Sequence, residues 1–185
     1  IIMKYNISIL LFCAFVSFAK AQNSDVEKSI IGAQAGFLGA WIYSEFKLNN
    51  KIALRTELGM GSGFGDNGKI EFKLTPTLAL EPRIYYNINK RAKNDKDIKN
   101  NSANFFALTS RYNPNWFIAS NNSSNSNTNL LIAPKWGIRR NINTHFNYEL
   151  GIGLGFRSYF GDKVGFNNKK SEASGELHIR IGYNF

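Results

Sequence analysis

The chain has 185 residues, with 23 lysines and arginines against 13 aspartates and glutamates, a formal charge of +10 and a mean hydropathy of -0.28. One domain is the expectation at this length, and a hydropathy below zero with a single apolar run excludes a polytopic helical membrane protein. No metal-ligand cluster, phosphate-binding glycine loop or nucleophile elbow is found in the spacing, so no cofactor, metal or catalytic residue is expected and the chain does not read as an enzyme.

The apolar run lies at the beginning. Lys4 precedes Ile7 to Phe18, and Ala19-Lys20-Ala21 fits a small-x-small cleavage site, so residues 1–21 read as a secretory signal peptide and 22–185 as one mature domain. Ile1 and Ile2, ahead of Met3, are set aside. The single cysteine, Cys13, falls inside this run behind Leu11-Phe12, which does not suit lipidation. The mature chain is then free of cysteine, and its stability has to come from backbone pairing and burial.

Beyond the run, a period of two returns again and again, the mark of half-buried β-strands. Ile30 to Gly36 is short and weakly polarised, with Phe37-Leu38-Gly39 as a tight turn. Ala40 to Leu48 places Ile42, Phe46 and Leu48 opposite Tyr43, Glu45 and Lys47, and Asn49-Asn50 is a hairpin signal. Ile52, Leu54, Leu58 and Met60 alternate with Arg55, Glu57, Gly59 and Gly61. Ile70 to Ile88 is the longest pattern, setting Phe72, Leu78, Leu80, Ile84, Tyr86 and Ile88 against Glu71, Lys73, Glu81, Arg83 and Tyr85. Pro76 and Pro82 lie on its apolar parity and point to bulges or a strand end. Residues 89–102 read as a charged loop, and Ala103 to Ser120 as an irregular strand broken at Asn113-Pro114-Asn115. Asn121 to Asn129 is a low-complexity polar loop. Leu130, Ile132, Trp136 and Ile138 then oppose Lys135, Gly137 and Arg139.

The most regular stretch is Thr144 to Phe160. Phe146, Tyr148, Leu150, Ile152, Leu154 and Phe156 share one parity, while Asn147, Glu149, Gly151, Gly153, Gly155 and Arg157 share the other. An acid, a base and three glycines make a poor dry core but suit a crowded polar barrel interior, so the apolar parity is expected to face lipid. In the last stretch Leu177, Ile179, Ile181, Tyr183 and Phe185 alternate with Glu176, His178, Arg180, Gly182 and Asn184.

Eight strands are therefore expected, at 29–36, 40–48, 51–63, 70–88, 103–120, 128–140, 144–160 and 172–185. The count falls to seven if 30–48 is one strand. The fold class is all-β, a single antiparallel up-and-down transmembrane barrel. An eight-stranded barrel is only wide enough for side chains to fill, so Arg55, Glu57, Glu81, Arg83, Glu149, Arg157, Glu176 and Arg180 are expected as a paired charge network in a plugged, non-conducting lumen. Glycines at 59, 61, 151, 153, 155 and 182 relieve crowding there. For Lys47, Lys73 and Arg139 a hydrated place above or below the membrane is an equal alternative. Phe146, Tyr148, Leu150, Ile152, Leu154, Phe156, Leu177, Ile179 and Ile181 are expected to touch lipid.

The terminal Leu177-His178-Ile179-Arg180-Ile181-Gly182-Tyr183-Asn184-Phe185 resembles the C-terminal recognition strand of Gram-negative outer-membrane proteins. In size and pattern the mature chain is similar to small eight-stranded barrels such as OmpX and the OmpA transmembrane domain. The resemblance implies the cell outer membrane as location, insertion by the barrel assembly machinery through a signal that includes Tyr183 and Phe185, and outer-membrane lipid as the partner. It carries over no catalytic or binding residue.

A structural or surface-interaction role through the extracellular loops, whose ligand is not specified, is the leading functional reading. A soluble lipocalin-like barrel, with the parities inverted around a small apolar ligand, is one alternative. A lipid-modifying barrel enzyme is another, for which His145, Ser158, His178 and Glu149 come into question. His145 and Ser158 lie about 43 Å apart along one strand at about 3.3 Å per residue, too far to act as a pair. The basic excess gathers at strand ends, in Lys90 to Lys99 and around Arg139-Arg140 and Lys169-Lys170. It fits anionic lipid head groups or solvated turns, and nucleic acid is not expected.

Overall fold

The computed structural model describes residues 25–37, 39–61, 73–115, 119–120, 128–160 and 170–185. The expected signal peptide at 1–21, the start of the 70–88 strand and Trp116 to Ile118 lie outside them. Eight strands close into one antiparallel barrel: β1 Ser29–Gly36, β2 Gly39–Asn49, β3 Ile52–Gly61, β4 Lys73–Ile84, β5 Asn104–Asn113, β6 Thr128–Asn141, β7 Phe146–Phe160 and β8 Ser171–Asn184. Each pairs with its neighbour in sequence, and β1 pairs with β8 from Gly32–Asn184 to Gly36–Arg180, sealing the sheet on itself. A two-residue strand, Ala119–Ser120, adds to the β4 end.

The seven-strand alternative for 30–48 does not hold. Gly36 stands opposite Gly39 in the antiparallel pair β1–β2, and Gly39 has φ +148°, a conformation open to glycine and closed to most other residues. A Cβ there would also collide with the Met60 carbonyl oxygen. The expected bulges at the prolines are absent too. Pro76 and Pro82 pair in register with Met60 and Leu54 of β3. On the other flank of β4 the pairing with β5 passes from Leu80–Ser110 to Arg83–Ala107 without a change of register. The missing N–H of Pro82 interrupts one ladder without displacing the strand. A register shift does occur between β2 and β3, at Lys47 to Asn49.

The sheet puts its ionic parity inside and its apolar parity outside. Gln34, Glu45, Arg55, Glu57, Glu81, Arg83, Lys135, Arg139, Glu149, Glu176, His178 and Arg180 are all buried, whereas Ile42, Leu58, Leu80, Leu108, Ile132, Ile152, Leu154, Phe156, Leu177 and Ile181 are exposed. This is the opposite of what a lipocalin-like interior requires. Room for the long ionic side chains comes from small neighbours on the same face, Ala53, Ala79, Ala103, Ala107 and Ala133, all at most 9% exposed.

Both termini of the barrel lie at one end, together with the turns after β2, β4 and β6. There the expected 70–88 strand stops at Ile84, and the expected loop 89–102 is a folded cap. Ile88–Lys93 forms a single helical piece, α1, followed by a 3-10 turn at Lys99–Asn101. Ile88 and Ala92, four apart, share the buried face of α1, and Lys90, Arg91 and Lys93 occupy its last turn, where cations oppose the helix dipole favourably. Ile88 and Ala92 pack with Val26, Ala53, Tyr85, Ile98, Ala103, Phe105 and Ala107. Ile88 therefore leaves the outward parity assigned to it and becomes part of an apolar stopper across the barrel end.

Candidate functional site

The centre of the barrel is an ion cluster assembled by register. Glu45 of β2 lies across from Arg55 of β3, and Arg55 across from Glu81 of β4; Glu149 of β7 lies across from Arg139 on one side and Arg180 on the other. Because inward positions recur every second residue, Arg55 and Glu57, and likewise Glu81 and Arg83, also pair along their own strands, each with Nε to Oε1 at 2.6 Å.

Glu149 is the hub. Its Oε1 lies 2.6 Å from Arg83 Nη2 and 2.8 Å from His178 Nε2. Its Oε2 accepts from Arg139 Nε at 2.8 Å and lies 3.8 Å from Arg55 Nη1. Nearer the cap, Glu45 Oε1 accepts from the Tyr85 hydroxyl at 2.7 Å and from Asn101 Nδ2 at 2.6 Å, while Arg139 Nη1 stands 3.2 Å from its other oxygen. Asn101 has φ +58°, a left-handed conformation that asparagine tolerates better than most residues. The 3-10 turn thus delivers a side chain from the cap into the charge cluster. Towards the opposite end, Lys135 Nζ bonds Glu81 Oε2 at 2.5 Å and lies 3.4 Å from Glu176, which also takes Arg111 Nη2 at 2.8 Å. Arg180 joins Glu57 at 2.9 Å.

The five carboxylates Glu45, Glu57, Glu81, Glu149 and Glu176 thus face six cations, Arg55, Arg83, Arg111, Lys135, Arg139 and Arg180, and each carboxylate meets at least two of them. Mutual neutralisation is what permits ionised groups to remain in so enclosed a space, where an unpaired charge is costly. Aromatic faces complete the packing: the Arg55 guanidinium lies 3.6 Å from the Tyr43 ring centroid, Arg83 4.1 Å from Phe105, and Arg180 3.8 Å from Trp41. Among the described residues no group of three or more acids, histidines or cysteines is placed to hold a metal ion.

Of the expected lumen set, Arg55, Glu57, Glu81, Arg83, Glu149, Glu176 and Arg180 meet in the cluster, and Arg157 does not. It is half-buried near the end of β7, beyond the ion pairs. Arg139, for which hydration outside the membrane was an equal reading, is fully buried between Glu45 and Glu149. Lys47 does sit at the edge, paired with Asp25 at 2.9 Å, and the side chain of Lys73 lies outside the described residues. Tyr43, Tyr85, Gln34 and Asn101 belong to the cluster and were not singled out; the first three carried a signal, since each shares the inward parity of its strand. His145 and Ser158 stand at opposite ends of β7, and His178 is enclosed between Lys135 and Glu149. Of the expected outward set, Phe146, Leu150, Ile152, Leu154, Phe156, Leu177, Ile179, Ile181, Tyr183 and Phe185 are exposed and Tyr148 is half-buried.

The end away from the cap holds a cavity of about 410 Å³, lined by inward residues including Trp41, Thr77, Arg111, Leu131, Arg157, Tyr159, Glu176 and Arg180. The Trp41 indole donates to Thr77 Oγ1 at 3.1 Å. Comparison of the chain with protein-family models, with curated proteins and with solved structures finds no match.

Proposed function

We propose that this chain is an integral outer-membrane β-barrel with a side-chain-filled lumen, which presents its loops at a surface and conducts no ions. The single observation that supports this most is the direction of the two parities. Residues of the Ile152 and Leu177 kind cover the outside of a closed sheet whose inside is a neutralised ion cluster. A soluble protein rarely leaves so continuous an apolar surface uncovered, and a closed barrel is one of the two backbone solutions that satisfy all N–H and C=O groups in hydrocarbon. In this reading the capped end, which bears the termini of the barrel, the short turns after β2 and β6 and the cap at 85–103, faces the periplasm. The connections after β3, β5 and β7 face outwards, and Tyr183 and Phe185, stacked edge to ring at 5.6 Å, belong to the signal read by the assembly machinery. The lysines and arginines of α1 meet lipid head groups.

The test is a lipid-dissolved spin label or photolabel read along β7. Ile152 and Leu154 should react and Glu149 and Gly153 should not. The same preparation should resist carbonate extraction and migrate differently on a gel before and after boiling. A monomer that folds in plain buffer without detergent or lipid overturns the reading.

A further inference from the structure

The barrel wall is not of even height. β1 ends at Gly36, which pairs with Arg180, while β8 continues back to Ser171. Among the described residues, Ser171 to Ile179 have β7 on one side and no strand on the other. β1 has eight residues. At about 3.3 Å per residue and a strand tilt of about 40°, it rises roughly 20 Å, short of the roughly 25 Å apolar band of such a barrel. Outside, the apolar surface continues on β7 through Leu154 and Phe156, 75% and 68% exposed, to Phe160. The low point of the wall therefore falls within the apolar zone, not above it.

The cavity described above opens at this notch. Its lining includes, beside the inward side chains, Phe37 at the β1–β2 tip and Gly175, Leu177 and Ile179 on the outward parity of the free β8 edge. One space thus touches both the interior and the exterior of the sheet. Its inner wall carries three cations, Arg111, Arg157 and Arg180, against Glu176. Arg180 and Arg111 are engaged by Glu57 and Glu176, yet the Nε atoms of Arg111 and Arg157 are enclosed without an acceptor. A cationic wall inside a cavity, next to a gap that opens on the apolar outer face, matches the two halves of an amphiphile.

We propose that the notch between β1 and β8 is a lateral entry for a single-chain anionic amphiphile of the long-chain carboxylate class. Its head group lies in the cavity against Arg157 and Arg111, and its chain leaves over Leu177 and Ile179. The proposal rests on the reading that the outer face meets lipid. It commits the otherwise filled barrel to one small-molecule site, which borders the ion cluster at Glu176 and Arg180.

Trp41, in the cavity wall, gives the readout. The full mature protein with Trp116→Phe and Trp136→Phe, in nanodiscs, is titrated with a brominated long-chain fatty acid. Saturable quenching of Trp41 is expected, with at least about tenfold weaker binding in Arg157→Gln, since one charge-assisted hydrogen bond accounts for that much or more. Arg157 lies outside the central cluster, so this variant should keep the heat-modifiable folded form. The brominated methyl ester, without the carboxylate, should quench only in proportion to its concentration. Indistinguishable curves for acid and ester, or for Arg157→Gln and its parent, overturn the proposal; so does equally tight competition by a short-chain carboxylate, which would leave an anion site without a lateral entry. Carbonate extraction of the same protein reports separately on membrane insertion, so loss of that reading is distinguishable from loss of this one.

Discussion

Replacing Glu149 by glutamine changes almost nothing but charge, and its neighbours state what that should cost. The carboxylate is 0% exposed and faces Arg83 and Arg139 at 2.6 and 2.8 Å, with Arg55 at 3.8 Å. Removing it leaves four carboxylates facing six cations, the five buried ones and Arg111. Breaking a buried pair typically costs about 3 to 5 kcal/mol. Here the lower end applies, because Arg83 keeps Glu81 at 2.6 Å and Arg139 keeps Glu45 at 3.2 Å. With a urea dependence of about 1 to 3 kcal/mol per molar, a loss of about 3 kcal/mol lowers the midpoint by about 1 to 3 M. The assay is urea unfolding in lipid vesicles, followed by tryptophan emission and by the gel shift of the folded form. Glu172→Gln is the control: that side chain bonds the Tyr159 hydroxyl at the rim, and the change should stay below about 1 kcal/mol. In a double-mutant cycle, Arg83→Gln should cost less in the Glu149→Gln background than alone. Equal shifts for Glu149→Gln and Glu172→Gln, or strict additivity with Arg83→Gln, would refute the idea that mutual neutralisation holds the interior together.

Other positions probe the outer face, the close strand contacts, the cap and the chain end. Ile152→Arg, at a 61% exposed site, should lose about 2 to 4 kcal/mol in vesicles if that site lies near the midplane, and the vesicle unfolding midpoint checks it. Among the β7 glycines, Gly155→Ala should be worse than Gly151→Ala, by about 1 to 3 kcal/mol. A Cβ at 155 runs into the Ile132 carbonyl and lies 2.5 Å from Ala133 Cα, whereas at 151 its nearest atom is 3.2 Å away; comparison of the two midpoints decides. Ile88→Ala should cost about 2 to 5 kcal/mol, with protease sensitivity appearing first at residues 88–102 and planar bilayers still free of steady conductance because the ion cluster remains. Deletion of Phe185, 78% exposed and touching Tyr183, should slow assembly in cells while leaving the vesicle midpoint within about 0.5 kcal/mol.

The alternation of β7 and β8 was plain in the sequence because period two is a local property, visible in any ten residues. From the same alternation along the chain followed which parity turned inwards and an expectation of eight strands, with seven left open at 30–48. Where a strand ends is not local. Ile88 continues the apolar parity of β4, yet the chain turns at Tyr85 because Ile88 and Ala92 find Ala53, Phe105 and Ala107 across the barrel end, contacts that no window of sequence contains. Their four-residue spacing was the only hint. Arg157, which lines the cavity outside the ion pairs, and Arg139, left open between lumen and hydrated rim, show the same limit. Both have inward parity, but their height in the lumen depends on shear and tilt. The prolines misled differently: each removes one donor, and a strand held by its other neighbour keeps its register.

Because outward and inward side chains take turns along the backbone, the greasy coat of this molecule does not exist in the linear polypeptide from residue 25 onwards. No stretch there resembles a bilayer-seeking helix, and the apolar runs, such as Phe105 to Leu108 and Leu130 to Ala133, are only a few residues long. The coat is manufactured at the instant β1 meets β8, when side chains as distant as Gln34 and Arg180, 146 positions apart, become neighbours. Closure is therefore the step at which scattered apolar residues become one continuous outer surface.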